Sequence, residues 1–149
     1  MTQKLSWAEE ATTEFVKKIN HHVPIDYKII KSKNFSRDDK VKKIKKEEEL
    51  ILKKIELKDY LVLFDETGYD FKNSIEFSQK LFAVFENSAS TVHFLIGGAY
   101  GVSDTIKNRA HLKVKLSSLT MNHHVAQIMA LEQIYRAIMI KNNKPYHNE

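Results

Sequence analysis

The chain predicts an α/β layered domain, and three observations carry that expectation. The spacing of apolar residues switches repeatedly between a helical period and strict alternation. Two short unbroken apolar runs, residues 60–64 and 91–96, suit strands covered on both faces of a parallel sheet. Helical patterns alternate with these runs along the chain. At 149 residues, with 42% hydrophobic and 29% charged side chains, one domain with its own core is expected. No internal repeat, low-complexity tract or linker divides it.

The elements follow in order. Ser6-Trp7-Ala8-Glu9 reads as a capping box that opens a helix burying Trp7, Ala11, Phe15 and Ile19. Ile25, Tyr27 and Ile29 alternate with polar residues, as on a half-covered strand. Ser36 can cap a second helix with Val41, Ile44, Ile51 and Ile55 inward. After the run at 60–64, Asp65-Glu66-Thr67-Gly68 forms a loop, and Ser74 starts a helix using Phe77, Leu81 and Phe85. The run at 91–96 precedes a short helix from Ser103 to Ala110. Leu112, Val114 and Leu116 then alternate as a strand near a sheet edge. The longest helix, from about His123 to Ile140, offers Val125, Ile128, Leu131, Ile134, Tyr135 and Ile138 for burial. The expectation is four strands interleaved with five helices.

Without cysteine, the chain can form neither disulfides nor thiolate metal sites. No segment has the apolar length of a signal or a membrane span, so a cytoplasmic location is expected, with no membrane partner. The formal net charge is +5. Between Lys31 and Lys46, eight basic residues (Lys31, Lys33, Arg37, Lys40, Lys42, Lys43, Lys45, Lys46) stand against Asp38 and Asp39. Such a stretch is either a solvated helix face balanced by Glu47, Glu48 and Glu49, or an arm that tracks phosphates.

The loop Ile96-Gly97-Gly98-Ala99-Tyr100-Gly101 follows a strand and precedes a helix. Glycines there let backbone approach a ligand closely, although a plain tight turn has the same composition. The spacing fits neither the dinucleotide fingerprint nor a P-loop. Ligands of open α/β sheets sit beyond the carboxyl ends of strands, and Phe64, Gly97 and the loop at 116–121 all fall at such ends. His123-His124, with His93, His111 and His147 elsewhere, lacks the spacing of a metal motif, and no metal is predicted. Arg136 can pair with Glu132 one helical turn earlier. The tail Pro145-Tyr146-His147-Asn148-Glu149 has the composition of a frayed end.

Three strings together resemble the RlmH family of SPOUT-class methyltransferases, and the likeness extends over nearly the whole chain. Phe94-Leu95-Ile96-Gly97-Gly98-Ala99-Tyr100-Gly101-Val102-Ser103 is similar to the family's glycine loop. Leu116-Ser117-Ser118-Leu119-Thr120-Met121-Asn122-His123 is similar to its second cofactor loop. Glu132-Gln133-Ile134-Tyr135-Arg136-Ala137, followed by Pro145-Tyr146-His147, is similar to its last helix and tail. The resemblance implies a single SPOUT domain with a mostly parallel sheet and a C-terminal trefoil knot, a feature periodicity cannot reveal. It implies a homodimer in which the tail of one subunit approaches the cofactor of the other. The implied activity is transfer of a methyl group from S-adenosyl-L-methionine to N3 of a pseudouridine in large-subunit rRNA, with the rRNA or the assembled ribosome as partner.

By position, Phe64, Gly97, Gly98, Gly101, Leu116, Ser117, Ser118, Leu119, Thr120 and Met121 would bind the cofactor. The sulfonium methyl is already activated, so alignment is the main task. The imide nitrogen attacks after losing its proton, so a base or a stabilising positive charge is required. His147 is the candidate base or orienter, Arg136 the candidate cation, and Tyr146 completes the catalytic set. Three departures from the family stand out. The short strand with which family members usually begin has no counterpart before Thr2-Gln3-Lys4, so either the start is trimmed or the sheet lacks a strand. Gln127 and Asn148 stand where the family carries arginine. The alternative expectation is therefore an RNA- or ribosome-binding SPOUT protein with little methyl transfer. A small-molecule nucleotide sensor would account for the loops but not for the lysine cluster.

Overall fold

The computed structural model describes residues 6–31, 39–98 and 100–148. The expected cap Ser36, the basic residues Lys33 and Arg37, Ala99 of the glycine loop, and Glu149 lie outside the described residues. The chain divides into two compact units, one of Lys28–Asp70 and Asn87–Ser118, the other of Met1–Tyr27, Phe71–Glu86 and Leu119–Glu149.

The first unit holds a sheet of three parallel strands, β1 (Tyr60–Tyr69), β2 (Val92–Ile96) and β3 (Leu112–Val114), in the order β2-β1-β3. The apolar run Leu61, Val62, Leu63 and Phe64 is buried, as a central strand requires. In register, Phe64 lies opposite Ile96 on one side and Val114 on the other. The strand order reverses around β1, so its carboxyl end is the topological switch point. After Phe64 the strand bulges through 65–68 and rejoins β3, where Lys115 N–H donates to the Tyr69 carbonyl at 2.9 Å. The Asp65 carboxylate accepts the Thr67 hydroxyl inside the bulge. Here the expected loop proves to be an excursion within one strand.

Two helices belong to this unit, α2 (Lys40–Leu52) and α4 (Asp104–Arg109). Ile51 of α2, Leu61 and Ile106 of α4 form a buried cluster, with Ile30, Ile55, Leu95, Val102 and Ala110 against it. At the amino end of the sheet, the buried Asp59 accepts from the Ser90 hydroxyl at 2.6 Å, His93 Nε2 at 2.9 Å and the Glu56 N–H at 2.9 Å. Arg109 Nη2 donates to the Glu56 and Asp59 carbonyls at 2.8 and 3.0 Å. These bonds, the Ser90 hydroxyl first and then His93, hold the Asp59 carboxyl well below the usual range.

The second unit contains α1 (Trp7–Asn20), all but the last residue of α3 (Ser74–Asn87), and α5 (His123–Lys141). The capping box forms as expected: Ser6 Oγ accepts the Glu9 N–H, and Glu9 accepts the Ser6 N–H at 3.0 Å. For α3 the cap is Asn73, whose Oδ1 accepts the Glu76 N–H, because the Ser74 hydroxyl is engaged with Gln133 Oε1 at 2.8 Å. Helix α5 meets α3 through Ser78, whose buried hydroxyl donates to the Ala137 carbonyl at 2.7 Å.

Several expectations are corrected. The alternation at Ile25, Tyr27 and Ile29 gives no strand, so the described residues hold three strands, not four. There the Tyr27 hydroxyl donates to Gln127 Oε1 at 3.1 Å, and Ile30 rather than Ile29 packs inward. Helix α1 buries Ala8, Thr12 and Ile19, leaving Trp7 61% exposed, one step round from the predicted face. Val41 and Val125 are exposed, while Ala130, Ala137 and Met139 join Leu131, Ile134 and Ile138 in the core of α5.

Candidate active site

The carboxyl ends of the three strands converge in the first unit. Phe64, Ile96 and Val114 share one level of the ladder, so Gly97 and Leu116 emerge just beyond it. The Phe64 ring is buried and stacks on Phe94 at 6.2 Å between centroids. Gly97 is hemmed in: a Cβ there would sit 3.2 Å from the Gly101 carbonyl carbon and from Val102 Cγ1. Gly98 and Gly101 form an isolated antiparallel bridge, and the Gly101 N–H donates to the Gly98 carbonyl at 3.0 Å. Gly101 adopts φ 75°, a conformation that favours glycine. Around Gly98 and Gly101 no heavy atom comes within 4 Å of an added Cβ. The loop therefore presents backbone, with open space on the Cβ side of both residues, as close approach of a ligand to main chain requires.

Leu116 and Ser117 are half-buried and Ser118 is exposed. The structure thus brings Phe64, Gly97, Gly98, Gly101, Leu116, Ser117 and Ser118 into one unit. Leu119, Thr120 and Met121 open the segment of the other unit that leads into α5, with Leu119 78% exposed.

In that second unit the tail is docked rather than frayed. Glu132 Oε1 accepts from Arg136 Nε at 3.0 Å, Arg136 Nη2 at 2.6 Å and the Tyr146 hydroxyl at 3.1 Å. The guanidinium lies 4.8 Å from the centroid of the Tyr146 ring, which meets Tyr135 edge-on at 4.8 Å. Arg136 Nη1 approaches His147 Nδ1 at 3.2 Å. A guanidinium only donates, so Nδ1 is the acceptor, and a neutral ring then carries its proton on Nε2. Burial, with the Glu132 carboxylate beside it, raises the Tyr146 phenol above its ordinary value. The Glu132 bonds likewise raise Arg136, which stays charged.

These features coincide with a family likeness. A family model described as "Predicted SPOUT methyltransferase" matches residues 2–147. The chain belongs to the SPOUT methyltransferase family. Among its relatives is a ribosomal RNA large subunit methyltransferase H of Bdellovibrio bacteriovorus, 46% identical over 99% of this chain and 94% of that protein. Proteins of the same name from Parabacteroides distasonis and Dictyoglomus thermophilum are each 38% identical. The first covers 94% of this chain and 89% of its own length, the second 90% and 86%.

In this SPOUT chain the histidines are dispersed. His93 serves Asp59, His111 Nδ1 accepts the Leu61 N–H at 3.1 Å, and the His123 and His124 rings lie 4.1 Å apart at the start of α5. Among the described residues no three His, Cys, Asp or Glu are grouped to hold a metal ion. Ser90, His93 and Asp59 are not arranged for nucleophilic catalysis, since serine and histidine both bond the carboxylate rather than each other. Among the described residues no helix is long and apolar enough to cross a membrane.

Sequence reasoning missed Glu132 as the hub of the tail cluster, although its i−4 spacing from Arg136 was visible. It also missed Glu48, a buried carboxylate of α2. A bond from the Lys45 ammonium, then the hydroxyls of Ser103 and Thr105, lower Glu48 to about 2. No pattern in the lysine-rich segment distinguishes Glu48 from Glu47 or Glu49.

Proposed function

We propose that this SPOUT protein is an S-adenosyl-L-methionine-dependent methyltransferase of large-subunit rRNA, acting on N3 of a pseudouridine. The observation that carries the reading is the carboxyl end of the sheet, where open glycine backbone and two further strand ends meet at the switch point. Relatives of almost the same length bear the name of an rRNA large subunit methyltransferase. Phe64, Gly97, Gly98, Gly101, Leu116, Ser117, Ser118, Leu119, Thr120 and Met121 would hold the cofactor, the last six through backbone groups that read the adenine. When bound, S-adenosylmethionine supplies an activated sulfonium methyl. The protein's own part is to fix the target ring and favour its deprotonated imide.

Arg136 provides the fixed positive charge for that anion, each terminal nitrogen keeping a second N–H beyond its bonds to Glu132 and His147. His147, with Nδ1 occupied by Arg136, offers an Nε2–H donor, so it orients the ring rather than acting as base. Tyr146 positions the guanidinium through its ring and its bond to Glu132. The imide proton leaves to water. We take the chain as one SPOUT domain with its C-terminal half knotted as a trefoil, working as a cytoplasmic homodimer. The homodimer follows from the family resemblance, and Trp7, 61% exposed on α1 with its ring against His124 of α5, is the residue we place in its interface.

Calorimetry with S-adenosylmethionine, followed by mass spectrometry of large-subunit rRNA from cells with and without the gene, tests the reading. Binding and the loss of one methyl mark are expected. Binding without a lost mark would instead indicate an RNA-binding protein without transfer, and no binding would overturn the cofactor assignment.

A further inference from the structure

We propose that Tyr100, together with Lys40 and Lys43, forms a contact for single-stranded RNA at the lip of the glycine loop, a base stacking on the ring while the two ammonium groups hold flanking phosphates. This rests on the rRNA reading above.

Tyr100 stands between Gly98 and Gly101, 39% exposed, on a loop closed by the Gly101 to Gly98 hydrogen bond. Lys40 and Lys43 lie three residues apart on α2, hence on one face, with Nζ atoms 5.6 and 5.4 Å from the Tyr100 centroid. The other lysines of that helix are matched locally: Lys42 to Asp39 at 4.0 Å, Lys45 to Glu48 at 2.9 Å, Lys46 to Glu49 at 3.6 Å. Among the described residues no carboxylate lies within ion-pair distance of Lys40 or Lys43. Two cations with no carboxylate partner among the described residues are thus gathered at one aromatic ring. Their distances are at the long end of cation–π attraction, so either ammonium can turn to a phosphate at small loss.

The arrangement is fastened from behind. Ile51 on the same helix packs against Ile106 of α4 in a buried cluster, with Val102, the residue after the glycine loop, against it. The helix that carries the two lysines is therefore packed beside the end of the loop that carries the ring. An aromatic face flanked by ammonium groups suits single-stranded nucleic acid, because every base has a π-face and every nucleotide a phosphate. An acidic peptide would use the lysines and leave the ring idle. The neighbouring strand ends are where a target nucleotide must come.

The test uses the full-length protein and fluorescein-labelled 12-nucleotide oligouridine, read by anisotropy across a salt series, with calorimetry of S-adenosylmethionine in parallel. Tyr100→Ala is expected to weaken oligouridine binding about tenfold, and Tyr100→Trp to restore it. The double change Lys40→Gln and Lys43→Gln should reduce the slope of log affinity against log salt by about 1.4, the value for two single-strand phosphates. Cofactor affinity stays at the wild-type level in all three, and with rRNA as substrate KM rises while kcat is kept. Unchanged RNA affinity in Tyr100→Ala, or an equal loss of cofactor affinity, overturns the proposal. So does competition by polyglutamate that is indifferent to Tyr100. If the wild-type protein fails to bind the cofactor while Tyr100→Ala still loses RNA, the RNA contact stands and the methyltransferase reading falls.

Discussion

Gly68 lies directly against the neighbouring strand: a Cβ there would sit 2.6 Å from the Lys113 carbonyl carbon and the Val114 nitrogen. Backbone cannot yield as a flexible side chain can. Gly68→Ala should therefore part β1 from β3 and cost about 1–3 kcal/mol, seen as a lower denaturation midpoint; an unchanged midpoint would mean β3 shifts freely. Gly97 is tight in a milder way, at 3.2 Å from Gly101 and Val102. Gly97→Val should leave the far-ultraviolet spectrum intact while calorimetry finds at least a tenfold weaker cofactor, on the order of 1.4 kcal/mol. Full affinity would remove this loop from the pocket. Glu48 gives a pH signature. Its folded value of about 2 lies below the ordinary 4.5, so its stabilisation is complete above pH 4.5 and fades as pH falls towards 2. Glu48→Gln should flatten acid unfolding in that window; curves of identical slope would deny the carboxylate that role.

At the scale of elements, the tail is held by one hydroxyl bond, an aromatic pair and a guanidinium–ring contact, each worth about 1 kcal/mol or less. Truncation before Tyr146 should accordingly lower the melting temperature by only a few degrees while turnover falls at least a hundredfold. Equal turnover by the truncated chain would refute the catalytic reading of the tail. The central strand was legible because Leu61, Val62, Leu63 and Phe64 admit no exposed face. Helix α1 was legible from its cap, Ser6, and α5 from its long apolar period starting near His123. The alternation at Ile25, Tyr27 and Ile29 misled because an extended strap satisfied by one long side chain has the same period as a strand. The face of α1 was misread because Trp7 outweighs Ala8 in hydrophobicity, whereas burial favours the small Ala8 and Thr12. Of the site, the glycine loop could be read from spacing, the tail only from resemblance. Its partner Glu132 stands 14 residues from Tyr146, and no local pattern links them. Gln127, where the resemblance implies arginine, accepts the Tyr27 hydroxyl, a use that composition could not suggest.

For the whole molecule, the expected assembly is a homodimer with Trp7 in its interface. Trp7→Ser should shift the mass found by light scattering towards one chain, at little cost to a monomer in which this ring is already 61% exposed. A dimer of undiminished affinity would place the interface elsewhere. The polar network at the amino end of the sheet has a separate meaning. Asp59, Ser90, His93 and Arg109 secure the strands at the end opposite the glycine loop through bonds made inside the protein. Under the proposed function, robustness and chemistry fall at opposite poles of three short strands. On that reading, changes around Asp59 should alter thermal tolerance with the proposed donor-facing rim untouched, and changes at that rim should leave the foundation beneath it intact.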